Sequence, residues 1–177
     1  MMIEKEEIQK IKKGILIVSG ILLLLYLPSI HTFLQVNLGH KFRIYLAEKP
    51  KSYKEAKNMA LEDFQLEKIP FIQEKDISGY DFENAIINFD PKRRLFDSTT
   101  YLKLIGRVFV VCLGQQRLYY GTFWTYKIAH GTDTIIAIPD RQGIKIEPGY
   151  FGMNAKFNAL VHDEDIRKRF SMIQKLR

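Results

Sequence analysis

The 177-residue chain predicts a mainly β protein carried on one N-terminal transmembrane helix. Three observations support this expectation. Residues 14–34 form a long uncharged apolar run, long enough to span a bilayer as a helix. From Ile69 onward the apolar residues recur with period two in short runs separated by turn residues, which is strand patterning. The end of the chain returns to helical spacing, with acids first and bases last. The expected architecture is the transmembrane helix followed by a β-rich domain, meander or barrel-like, with one inserted amphipathic helix and a short C-terminal helix.

Residues 1–13 are the expected cytoplasmic stub, charged and mixed in sign. Lys5, Lys10, Lys12 and Lys13 precede the apolar run, and the next cations are Lys41 and Arg43. Cations stay on the cytoplasmic side, so the N-terminus is expected in the cytoplasm and the large domain outside. Residues 14–34 are the expected anchor in the inner or plasma membrane, opening with GILIVSGILLLLYLPSI. At 1.5 Å of rise per residue they span roughly 31 Å, about one hydrocarbon core. Pro28 falls in the last turns, where a kink is tolerated. A cleaved signal peptide is the rival reading, but LPSIHTF offers no small-x-small cleavage site, which favours a retained anchor.

Residues 35–177 are the expected extracytoplasmic domain. KFRIYLA alternates as a short strand. Ser52 followed by Glu55 has the form of a capping box, and Tyr53, Ala56, Ala60 and Phe64 fall at helical spacing, predicting the amphipathic helix. IPFIQEKDI, ENAIINFD, TTYLKLI, RVFVVCL, RLYYGTFW, DTIIAIP and GIKIEP are the predicted strands. Gly114-Gln115 and the stretch from Pro139 to Gly143 are the turns between two pairs of them. Asp163, Glu164 and Asp165 start the last helix, with Ile166, Phe170 and Ile173 on its apolar face.

Composition narrows the function classes. Hydrophobic content of 46%, with 21 Phe and Tyr, supports a real core. From residue 41 onward 23 Lys and Arg face 17 Asp and Glu, a surplus that suits anionic lipid headgroups and equally suits plain solubility. Lys92-Arg93-Arg94 is a basic triplet without a recognised reader motif, so no nucleic-acid partner is expected. The single cysteine, Cys112, excludes an intramolecular disulfide framework and multi-cysteine zinc sites, and its apolar setting predicts a buried, inert thiol. His31, His40, His130 and His162 show no metal-ligand spacing; no metal and no cofactor are expected.

Lys103 breaks the pattern of the predicted sheet. In Thr99-Thr100-Tyr101-Leu102-Lys103-Leu104-Ile105-Gly106, strand alternation sets Lys103 on one face with Tyr101 and Ile105, and neither face is clearly polar. An amine pressed among apolar neighbours loses hydration, its pKa falls, and it becomes usable as a general base. The alternative is a stem lying along the sheet with its ammonium reaching water.

A cytoplasmic stub, one span and an outer β domain with a lysine-bearing strand resemble the signal peptidase I family, and within it the conjugative-transfer peptidases of TraF type that mature pilin. AIINFDPKRRLFDSTTYLKLIG, residues 85–106, is similar to the family's stretch leading to its catalytic lysine, and RLYYG resembles the strand that follows. Pro148-Gly149-Tyr150-Phe151 and then Asp165-Ile166-Arg167 look like a loosened form of its closing motif. The resemblance implies Lys103 as general base, Asp165 and Arg167 in support, and an exported or pilin-type protein as partner beside the membrane. The family's serine has no counterpart in Val36 to Lys41; Ser29 and Thr32 are the nearest hydroxyls, and Arg107-Val108 stands where a Gly-Asp pair is expected. Asp165 and Arg167 are also accounted for by helix capping and dipole. Two functions therefore stand open. One is a signal-peptidase-like protein that processes or holds exported precursors. The other is a non-enzymatic anchored interaction module, a secretion or conjugation subunit or an immunity-type inhibitor, presenting the aromatic run RLYYGTFWTY.

Overall fold

The computed structural model describes residues 40–92, 96, 98–125, 134–140, 142–149 and 159–177. The predicted stub and anchor, with Ser29 and Thr32, lie outside the described residues, as does Tyr150-Phe151. Among the described residues no helix is long and apolar enough to cross a membrane.

Nine strands form one sheet: β1 (Phe42–Lys49), β2 (Gln65–Leu66), β3 (Ile72–Gln73), β4 (Ile77–Asp81), β5 (Ile86–Phe89), β6 (Val108–Leu113), β7 (Gln116–Phe123), β8 (Ile135–Pro139) and β9 (Gly143–Pro148). Their order is β2-β1-β6-β7-β8-β9-β5-β4, with β3 paired to the free flank of β1. The mainly β expectation holds, but the simple meander does not. β1 pairs with β6, β5 inserts between β9 and β4, and β7 runs parallel to β8 from Gly121↔Ile135 to Phe123↔Ala137. A parallel pair needs a crossover between its strands, which a meander lacks. β3 and β4 are separated by one turn of 3₁₀ helix, Glu74–Asp76, so this bend links the β4 end of the path back to β1.

The wholly apolar β6 is explained by burial on both faces. Phe109, Val111 and Leu113 point into the main core with Phe42, Ile44, Ile87, Phe123 and Ile144. Val108, Val110 and Cys112 point to a second cluster, roofed by Ala56, Phe64, Met59 and Leu61. Gly121, between the main-core residues of β7, has no room for a side chain: an added Cβ would overlap the Phe109 ring and the Ile135 carbonyl. The Gly114 turn joins β6 to β7 as expected, with φ at +64°, where glycine alone is unstrained.

The helices depart more from expectation. The predicted amphipathic helix shrinks to α1 (Tyr53–Ala56). Ser52 Oγ accepts from the Glu55 amide, but Glu55 caps the amide of Lys51 rather than that of Ser52. Ala60 is already extended, and Leu61–Asp63 is a 3₁₀ turn. The physical reason lies across the fold. Arg117 donates to the carbonyls of Leu61 and Glu62, which a continuing helix would have used, and β2 must start at Gln65 to pair with β1. Of the predicted stripe, Ala56 and Phe64 are buried, Phe64 against Tyr120 at 5.0 Å, while Tyr53 is half-buried and Ala60 exposed.

TTYLKLI, residues 99–105, expected as a strand, falls almost wholly in a helix, α2 (Ser98–Leu104). A Ser-Thr-Thr start and Gly106 at φ +82° are helix start and stop signals, and they outweigh the two-residue alternation of so short a run. Helical spacing buries Leu104 and leaves Leu102 71% exposed. The final helix, α3 (Glu164–Met172), matches expectation: Asp163 caps it by accepting from the amides of Asp165 and Ile166. Ile166 and Phe170 face the core, with Phe170 5.1 Å from Phe42 and 4.8 Å from Tyr80.

Burial pushes the Cys112 thiol up to about 11 from an ordinary 9.0. The unfolded thiol ionises first, so its contribution to stability is whole below about pH 9 and is lost as pH rises through 11. Denaturant unfolding followed against pH should show this alkaline loss, and Cys112→Val should flatten the profile between those values. Thiol-directed reagents should label Cys112 only as the domain unfolds.

Candidate functional site

The three residues singled out in the sequence lie on two helices, and each is exposed. Lys103 lies exposed on α2 rather than in a strand among apolar neighbours, because helical geometry turns it outward. That corrects the expectation of a desolvated amine.

Asp165 and Arg167 are exposed on the outer face of α3. Asp165 pairs with Lys168 at 3.4 Å, and Arg167 pairs with Glu164 at 3.3 Å and lies over the Phe82 ring at 5.4 Å. These are the surface contacts of an amphipathic helix, each modest in energy. The α2 end of β6 is also the end remote from the start of the domain. Val108 opens β6 beside α2, Leu113 closes it opposite Phe42, and five steps along the strand separate the two by roughly 17 Å.

What sequence reasoning missed is the buried arginine two positions further along. Arg169 is 4% exposed and grips Glu74 with two bonds, Nε to Oε1 at 2.6 Å and a terminal nitrogen to Oε2 at 2.7 Å. Glu74 Oε1 also accepts from the Phe42 amide at 2.7 Å. Lys175 Nζ donates to the carbonyls of Glu74 and Ile77. The pair is 95 residues apart in sequence, so no local spacing could have announced it. The pair ties the last helix to the turn before β4 and to the start of β1, which makes it a structural lock.

Among the described residues, a cleft of about 550 Å³ lies on the outward face of β5, β9 and β8. The register explains its floor. Ile87 and Phe89 face the core, so Ile86 and Asn88 face out; Lys145 lies between Ile86 and Ile138 in one lateral row, and Gly143 lies beside Asn88 in the next. Tyr101 of α2 and Thr125 complete the lining with Pro139, Asp140, Gln142 and Ile144. Tyr101 precedes Lys103 by two positions, about 200° round the helix, so α2 turns its phenol to the cleft and its lysine elsewhere.

Asp140 shapes the lip. Its Oδ1 accepts from the amides of Gln142 at 2.6 Å and Gly143 at 2.9 Å, and its own amide bonds the Gly143 carbonyl. The Gln142 carbonyl accepts from Phe89, fastening the β8–β9 turn to β5. Lys145 is paired with Glu147 at 2.9 Å. The result is an isoleucine floor rimmed by two amide side chains, a phenol, a hydroxyl and an ammonium. Amides of this kind match peptide N–H and C=O groups, and the floor suits an apolar side chain. Among the described residues no group of three or more His, Cys, Asp or Glu is placed to hold a metal ion.

Comparison of the chain with protein-family models, curated proteins and solved structures finds no match.

Asp140→Ala removes the acceptor for two turn amides and should cost about 1 kcal/mol, the usual worth of such bonds, in denaturant unfolding. Amide exchange at Gln142 and Gly143 should quicken at the same time.

Proposed function

We propose that this chain is a non-enzymatic binding module, held to the outer side of a membrane by residues 14–34, that lodges an extended segment of an exported polypeptide in the cleft on β5, β8 and β9. One observation carries the reading. The helix that bears Lys103 offers the cleft a tyrosine, and leaves the amine exposed outside its lining. A serine–lysine peptidase needs its amine within hydrogen-bond reach of the nucleophile. The binding reading needs apolar floor and amide rim, and both are lining residues. The membrane setting rests on the apolar run and the lysine asymmetry in the sequence.

A photo-crosslinking amino acid placed at Asn88 or Gln142 of the full chain in its native cells tests the proposal, with Lys103→Ala assayed in parallel for maturation of exported precursors. Adducts with an exported polypeptide at the two cleft positions, none from a control position at Lys57, and unchanged maturation are expected. Accumulation of unprocessed precursor in the Lys103→Ala strain, with the domain folded, would establish the peptidase reading instead.

A further inference from the structure

The chain enters the sheet at His40, against the β6–β7 turn. The Gly114 amide donates to the Lys41 carbonyl at 2.9 Å, and a Cβ on Gly114 would stand 3.2 Å from the His40 Cα. The β3–β4 turn closes on the same spot, where Glu74 Oε1 accepts from the Phe42 amide and Gln73 pairs with Arg43. Charge is sorted across this end. Its two acids turn inward: Glu74 is held by Arg169, and Asp76, 4% exposed, accepts from the Gln73 amide. Its cations turn outward. Lys41 and Lys75 are exposed, each next in sequence to a residue of the Phe42–Glu74 bond, and Arg43 and Arg117 are half-buried on either side of Cys112. Among the described residues neither ammonium is paired with a carboxylate. His40, Gln115 and Gln116 are the other exposed residues of 40–43, 73–76 and 114–117, so these stretches expose no acid. Glu62 and Asp63 lie to the flank, beside Arg117. At the other end of β1 the signs are mixed: exposed Glu48 stands next to Lys49, and Glu67 pairs with Arg107.

We propose that this end of the sheet is a docking surface for anionic phospholipid headgroups, which sets the orientation of the domain on the bilayer; the proposal rests on reading residues 14–34 as the anchor. Tether length selects the occupant. Six steps of chain, from 34 to 40, reach at most about 21 Å. The headgroup layer takes up about 5–8 Å of that, so His40 stays close to the surface. A tether limits distance and leaves orientation open. The potential of an anionic leaflet decays within about one Debye length, ~8 Å, and so acts on the groups nearest to it. The end nearest the tether turns Lys41 and Lys75 outward with no exposed acid beside them, and it is this end that gains from contact.

The test reconstitutes the full chain in vesicles of phosphatidylcholine alone and of phosphatidylcholine with phosphatidylglycerol. A fluorophore on Gln115→Cys reports energy transfer to a headgroup-labelled lipid, with Leu102→Cys on α2 as the control; Cys112 is buried and stays unlabelled. Transfer from position 115 should be stronger on the anionic vesicles and fall to the neutral value in high salt, with no such rise from position 102. Lys41→Gln with Lys75→Gln, both at exposed positions, should lower the ratio of docked to free domain about fivefold for each lysine lost. Equal transfer on the two compositions overturns the proposal. So does an anionic response that the double variant leaves intact. Flotation with the neutral vesicles reads the anchor separately, and a chain left behind there contradicts the anchor. Docking is then decided by flotation with the anionic vesicles: kept by the parent and lost by the double variant if headgroups dock here, while any other pattern overturns it.

Discussion

The domain is organised around one buried ion pair. Glu74 sits in the 3₁₀ turn that bends β3 into β4, and Arg169 reaches it from α3 through two charge-assisted bonds. The same carboxylate takes the first amide of β1, and the carbonyl of the same residue takes Lys175. Four parts of the chain therefore meet on one residue: the start of the sheet, the bend that carries it back on itself, the last helix and the segment that pairs with β4. Withdrawing an arginine from water is costly, and the bidentate geometry with satisfied neighbours is what offsets it. A helix docked by core contacts alone can slide or rotate; this bond fixes which face of α3 meets the sheet, and so where Phe170 lands between Phe42 and Tyr80.

Much of the sheet was legible in sequence because strands with one buried face declare themselves by alternation, as GIKIEP does with Ile144 and Ile146 in the core. β6 was legible for the other reason, an unbroken apolar run that fits a strand covered on both sides. Connectivity was not legible. Nothing local says that β5 inserts beside β9 or that β7 and β8 run parallel, since those pairings are chosen by contacts far apart in the chain. The two element errors have different causes. Seven residues of TTYLKLI hold too few periods to distinguish helix from strand, and the Ser-Thr-Thr and Gly brackets were the better signal. At residues 53–64 the spacing was helical but tertiary partners, chiefly Arg117, took the carbonyls.

The site residues follow the same logic. Lys103 drew notice as an amine in an apolar strand, and once α2 is a helix that setting dissolves. Asp165 and Arg167 lie near a residue that matters, but on the wet side of α3, while Arg169 takes the buried position. A charged residue at a core position of an amphipathic helix was the available clue, and its partner could be found only in three dimensions. The cleft, too, is a product of register: Asn88, Lys145 and Ile138 come from three strands and become neighbours through pairing. The binding reading depends on that face.

The most direct test of the organising role of Glu74 and Arg169 is a double-mutant cycle on denaturant unfolding, with Glu74→Gln, Arg169→Met and the two together. The account predicts a coupling of about 0.5–3 kcal/mol, the range for side chains in direct contact. Single losses that simply add, to within about 0.5 kcal/mol as independent sites do, would contradict it.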